Sequence, residues 1–125
     1  MTGGEAILLI DDEGPILEFG KEILDYHGYQ TLTAENGEKA VELFSREKEH
    51  IALVILDLNM PGIDGQECLR RILEIEPKTK VVIASGYSSS DTVQEMMKMG
   101  ASGFFMKPFK FDEMVNKVRE ILAGT

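Results

Sequence analysis

The sequence is short of cysteine, of basic charge and of long apolar runs. A single cysteine, Cys68, rules out an internal disulfide framework and fits a reducing compartment, where it reads as a small buried apolar residue. No segment reaches the roughly 20 consecutive apolar residues of a membrane span, and Met1 to Glu5 lacks the basic and apolar regions of a secretory signal, so a cytoplasmic location is expected. Thirteen basic residues against twenty-two acidic ones give a net charge of −9. That balance opposes phosphate-backbone contacts and excludes direct nucleic-acid binding, while favouring partners with a basic patch or a bound cation. There is no Walker phosphate loop, no GxGxxG opening a helix, and no His or Cys beside a plausible nucleophile. Linkers, low-complexity tracts and internal repeats are absent as well, and 125 residues fit one domain with its core over about 6–122.

What is present is organised around Ile51 to Gly65, IALVILDLNMPGIDG. A run of branched aliphatics stopped by Asn59, Pro61 and Gly62 reads as a buried strand feeding a tight loop, with Asp57 at the strand's carboxyl end. Four more apolar runs follow the same plan. Ala6 to Ile10 ends in Asp11, Asp12 and Glu13; Tyr29 to Ala34 precedes an Asn36-Gly37 turn; Lys80 to Ala84 ends in Ser85; Ala101 to Met106 ends in Lys107-Pro108. Between them lie stretches of helical period. Pro15 suits a first helical turn and Gly28 a stop; Ala40, Val41 and Phe44 form a stripe reaching about Glu49; Cys68, Leu69, Ile72 and Leu73 form another, closed by Pro77. Asp91 can cap a helix carrying Val93, Met96 and Met97 and ending at Gly100, and Phe111 to Leu122 marks the last helix.

Five apolar strands, each followed by a helix, indicate a parallel sheet covered on both faces, and right-handed crossovers give a doubly wound three-layer sandwich. All strand carboxyl ends then share one edge, which brings together Asp11, Asp12, Asp57, Ser85 and Lys107. Adjacent carboxylates at a strand end repel one another, and a hard divalent cation, Mg²⁺ or Mn²⁺, is the simplest compensation. A backbone carbonyl from the loop after Asp57 can complete such a site. Lys107 adds a compact positive charge that can pair with Asp57 or with an anion bound to it, and Ser85 adds a hydroxyl donor. A carboxylate nucleophile, a divalent cation, a lysine and a hydroxyl around one point are the parts that stabilise a transferring phosphoryl group and hold an acyl phosphate.

Taken together, LLIDDE, VILDLNMPGIDG, ASGYSS and GASGFFMKPF resemble the response-regulator receiver domains of two-component signalling, over nearly the whole chain from Ala6 to about Leu122. The resemblance implies a flavodoxin-like (βα)₅ fold with strand order 2-1-3-4-5. It also implies that Asp57 accepts a phosphoryl group from the phosphohistidine of a histidine kinase or a histidine phosphotransfer protein. Asp12 would bind Mg²⁺ directly, Asp11 mainly through water and Asn59 through its backbone carbonyl, with Lys107 and Ser85 on the phosphoryl oxygens. Phosphorylation would draw in the Ser85 loop and reshape a partner-binding face built from the fourth helix, fifth strand and fifth helix, including Met96, Met99 and Phe104.

Two positions depart from the commonest family pattern. Ser85 stands where many members have threonine, and Phe104 stands at an aromatic switch position that is often tyrosine, so a readout there would work by ring rotation and packing. Glu13 is expected to be solvated or just outside the ligand set, Glu67 a first-turn helix acid, and Tyr87 a cover over the site that slows attack by water. Two other classes compete with this reading. An aspartyl-nucleophile phosphatase of the haloacid-dehalogenase type needs a second acid two residues after the nucleophile, where this chain has Asn59, and a cap for which the chain is short. A receiver-like module that binds partners without being phosphorylated has no need of the intact acid, hydroxyl and lysine set. The sequence is expected to represent either a freestanding regulator or a receiver belonging to a longer protein.

Overall fold

The computed structural model describes residues 6–58, 65–86, 90–107 and 109–123, with the backbone alone at 85 and 90–92. Strands and helices alternate without exception: β1 (Ala6–Ile10), α1 (Gly14–Tyr26), β2 (Gln30–Ala34), α2 (Gly37–Glu47), β3 (Ile51–Asp57), α3 (Gly65–Ile75), β4 (Lys80–Ser85), α4 (Ser90–Met99), β5 (Gly103–Met106) and α5 (Phe111–Ala123). The five strands form one parallel sheet in the order β2-β1-β3-β4-β5. This is the doubly wound arrangement expected from the alternation, with the order reversing between β1 and β3.

Because successive side chains on a strand point to opposite faces, each aliphatic strand feeds two cores. Leu8, Ile10, Val54, Leu56, Val81 and Ile83 pack under α2, α3 and α4 against Phe44, Leu69, Ile72 and Met96. Ile7, Leu9, Leu53, Ile55, Val82 and Ala84 pack under α1 and α5 against Leu24, Met114, Val115 and Val118. β1, β3 and β4 are therefore buried on both sides, which is why they read as continuous apolar runs, whereas the edge strands β2 and β5 keep exposed residues. Among the described residues no helix is long and apolar enough to cross a membrane.

The helix ends follow local chemistry. Pro15 occupies the first turn of α1, and Gly28 takes φ +97° just past its end, a conformation that favours glycine. Asn36, expected in a plain turn, is the N-cap of α2, its side chain accepting from the Lys39 N–H at 2.8 Å. The fifth strand begins at Gly103 rather than Ala101. Ala101 N–H donates to the Met96 carbonyl and so closes α4, while Ser102 N–H donates to the Val81 carbonyl of β4 and leads into the strand. Helix α4 starts at Ser90, placing Asp91 inside the helix rather than at its cap. Pro61, Gly62, Tyr87 and Pro108 lie outside the described residues.

Candidate functional site

The strand period that builds the second core also carries the site. Ile7 and Leu9 on β1, Leu53 and Ile55 on β3, and Phe105 on β5 all face α1 and α5. One step further along each strand stand Asp11, Asp57 and Lys107. The sheet holds the two acids in register. Asp11 N–H donates to the Ala34 carbonyl, Asp57 pairs with Ala84, and Leu58 N–H donates to the Ala84 carbonyl. Gly65, where α3 begins, is held against this strand end: a Cβ there would lie 2.7 Å from Leu58 Cα and 3.1 Å from the Asp57 carbonyl oxygen. Any side chain at Gly65 would push the helix off the backbone that presents Asp57.

Asp11 and Asp57 are each only 2% exposed, whereas Asp12 is exposed at the rim. One carboxylate oxygen from each of the three comes within 4.8 Å of the others. The Lys107 ammonium reaches into the cluster, 3.1 Å from Asp11 Oδ2, 3.4 Å from Asp57 Oδ2 and 3.6 Å from Glu13 Oε1. Lys107 thus leans on Asp11 as well as on the expected Asp57. The Glu13 backbone N–H also donates to Asp11 Oδ1 at 3.0 Å.

The electrostatics follow from that crowding. Burial, the largest cause, raises the Asp11 pKa above the ordinary carboxylate value, and repulsion from Asp57 adds to it; the Glu13 N–H and Lys107 oppose the rise without cancelling it. For Lys107, burial works toward the neutral amine, but its hydrogen bond to Asp11 and the charges of Asp11 and Asp57 together hold the pKa above the ordinary lysine value. Asp11, Asp57 and Glu13 therefore share one ammonium, and Asp12 adds a third carboxylate to the Asp11 and Asp57 pair. Such a set of hard oxygen donors, two of them withdrawn from water and under-neutralised, fits a small divalent cation such as Mg²⁺.

The remaining sequence expectations divide. Ser85 ends β4 opposite Met106, one residue beyond the partner of Asp57, so its backbone belongs to the same edge. Asn59 lies outside the described residues. Phe104 is exposed on β5, and Met99 is half-buried. Met96 is wholly buried against the sheet and Met97 is exposed, so Met96 belongs to the core and not to the surface where it was expected. Helical phase explains the difference, since adjacent residues of α4 point about 100° apart. Cys68 is fully buried, and burial pushes its thiol pKa up to about 12. Glu67 lies in the first turn of α3, held down to about 2 by Arg70 and Arg71. The contact between Glu13 and Lys107 was not foreseen; the run of three acids after β1 was its one signal in the sequence.

Comparison with known proteins agrees with this geometry. The family described as response regulator receiver domain matches residues 7–119. The chain is 37% identical over 118 residues to sporulation initiation phosphotransferase F of Bacillus subtilis, covering 94% of each protein. Several other relatives are longer, and of these the chain spans between 13% and 50%. Among solved structures, a response regulator receiver domain protein from Clostridium thermocellum superposes with a TM-score of 0.90 at 31% identity, over 96% of this chain and 95% of that one. A chain of the CheX-CheY-BeF3-Mg complex from Borrelia burgdorferi superposes with a TM-score of 0.88 at 27% identity, over 93% of this chain and 87% of that one. With the strand order, the acid cluster at the sheet edge and the family match in agreement, the chain belongs to the response-regulator receiver domains.

Proposed function

We propose that Asp57 is the phosphoacceptor of this receiver, taking a phosphoryl group from the phosphohistidine of a histidine kinase or histidine phosphotransfer protein. The observation that carries the reading is the placement of a buried Asp57 within 4.8 Å of two further carboxylates and 3.4 Å from the Lys107 ammonium. Asp57 attacks phosphorus through a carboxylate oxygen. A new P–O bond forms while the P–N bond to the donor imidazole breaks, its electron pair leaving on the ring nitrogen. Lys107 moves from its carboxylate partners to the arriving phosphoryl oxygens, and Ser85 donates its hydroxyl to another.

Asp11, Asp12, Asp57 and the Asn59 carbonyl are the groups that would hold Mg²⁺, or Mn²⁺ in its place. Bound there, the ion supplies charge stabilisation to the transferring phosphoryl group. Asp57 then carries the acyl phosphate, and the chain catalyses only its own phosphorylation and hydrolysis. Residues 1–125 act as one receiver domain, working in the cytoplasm.

The readout face is α4, β5 and α5. Its support is the exposure of Phe104 and Met106 beside a groove of about 470 Å³ between β5 and α5, also lined by Asn116 and Lys117. Exposed aromatic and methionine side chains over a shallow groove suit an adaptable protein partner. Acetyl phosphate with Mg²⁺ tests the central assignment: the wild type gains one phosphoryl group and Asp57→Asn does not. Labelling that survives the substitution unchanged would refute the role of Asp57.

A further inference from the structure

Glu13 stands apart from the other acids of the site. It is the N-cap residue of α1, with extended backbone (φ −93°, ψ 113°), yet its side chain makes no capping hydrogen bond. Its backbone is tied to the site by the N–H donated to Asp11 Oδ1. Its carboxylate instead lies 3.6 Å from the Lys107 ammonium, on the solvent side, with 62% of the side chain exposed against 16% for Lys107. An N-cap side chain that leaves its helix and turns toward a lysine exchanges one stabilising contact for another.

We propose that Glu13 is a positioning residue that draws Lys107 toward the mouth of the site and guards that mouth against small anionic phosphodonors; the proposal rests on Asp57 being the acceptor. Two effects act in the same direction. Lys107 has to turn to the incoming phosphoryl oxygens, and every carboxylate that shares its ammonium competes with them. Glu13 also raises the number of carboxylates around that one ammonium from two to three, and it is the third, the exposed one, that faces an arriving donor. A donor arriving alone as a small anion meets this field directly. A protein donor docks through a broad surface and depends on it less.

The test measures labelling by acetyl phosphate for wild type, Glu13→Gln and Glu13→Asp in saturating Mg²⁺, at ionic strengths of about 20 mM and about 1 M. At low salt the Gln variant, which keeps the size of the side chain, should label roughly two- to fourfold faster, the range expected for an exposed ion pair. At high salt, where the screening length falls to about 3 Å, that advantage should collapse. The Asp variant keeps the charge and should stay nearer to wild type than to Gln. Phosphoramidate, a donor of smaller negative charge, should show a smaller gain. The inference is overturned if Glu13→Gln is no faster at low salt, if its gain is equally large at high salt, or if Glu13→Asp behaves like Gln. Asp57→Asn is run alongside. Persistent label there overturns the acceptor assignment, whereas loss of label there with no effect of Glu13→Gln overturns this inference alone.

Discussion

Leu56 and Asp57 are neighbours on β3 and are almost equally buried, at 0% and 2% exposure, yet they act on the fold in opposite senses. Leu56 belongs to a core of buried apolar side chains, where each methylene withdrawn from water is favourable. Asp57 sits one peptide further, where the same withdrawal is a cost only partly offset by a shared lysine. β1 repeats the contrast between Ile10 and Asp11. Strand bodies supply stability and strand ends spend part of it, so the boundary between folding and chemistry in this molecule is one residue wide.

The sharpest way to break the comparison is to weaken a strand body. Leu56→Ala removes a fully buried side chain from a packed layer and should lower unfolding free energy by about 2–5 kcal/mol, measured by urea or thermal denaturation. A loss below about 1 kcal/mol would mean that the layer closes up around the deletion. The strand end should respond with the opposite sign. In chelator-treated protein at pH 7, Asp11→Asn should be more stable than wild type by about 1 kcal/mol, because the neutral amide removes the cost of burying a charge and, secondarily, the repulsion from Asp57, without changing shape.

The pH dependence follows from the same shift. The native pKa of Asp11 is raised, so folding favours its neutral form. That stabilisation is fully present below the ordinary unfolded carboxylate value and is lost as pH rises through the raised native value. The gap between Asp11→Asn and wild type should therefore close as pH falls from 7 toward the acid range; a gap that widens would contradict the stated cause. The smallest effect should come from β2, where Thr31 is 6% exposed and its hydroxyl has no hydrogen-bond partner among the described residues. Thr31→Val keeps the branched shape and removes the orphaned hydroxyl, and thermal denaturation should show a gain of about 0.5–1 kcal/mol. A loss instead would mean that water serves that oxygen.

Much of this was legible in the sequence because it depends on local patterns. The aliphatic runs of β1, β3 and β4 are too long and too apolar to be half-exposed, and their abrupt ends in Asp11, Asp57 and Ser85 mark the functional edge once the sheet is taken as parallel. What was not legible depends on where flexible or borderline groups find partners. Ala101 reads as the first residue of β5, yet its amide is used to close α4 on the Met96 carbonyl, while the Ser102 amide already reaches Val81 of β4. Met96 and Met97 are alike in composition, and only the helix phase separates a core residue from a surface one. Lys107 has four rotatable bonds, and its reach to Asp11 and Glu13 as well as to Asp57 depends on the side-chain conformation it takes, which no spacing encodes.

Cys68 gives the fold a property unrelated to signalling. The thiol lies beneath α3 in the core shared with α2, wholly shielded, and its pKa is pushed up to about 12. At neutral pH it is therefore protonated and out of reach of thiol reagents while the domain is closed. Its modification has to wait for α3 to leave the sheet, the same helix whose first residue, Gly65, is packed against the backbone of Asp57. The rate at which an alkylating reagent consumes this one sulfur thus times the opening of the scaffold behind the acceptor, and the chain carries its own clock for that motion.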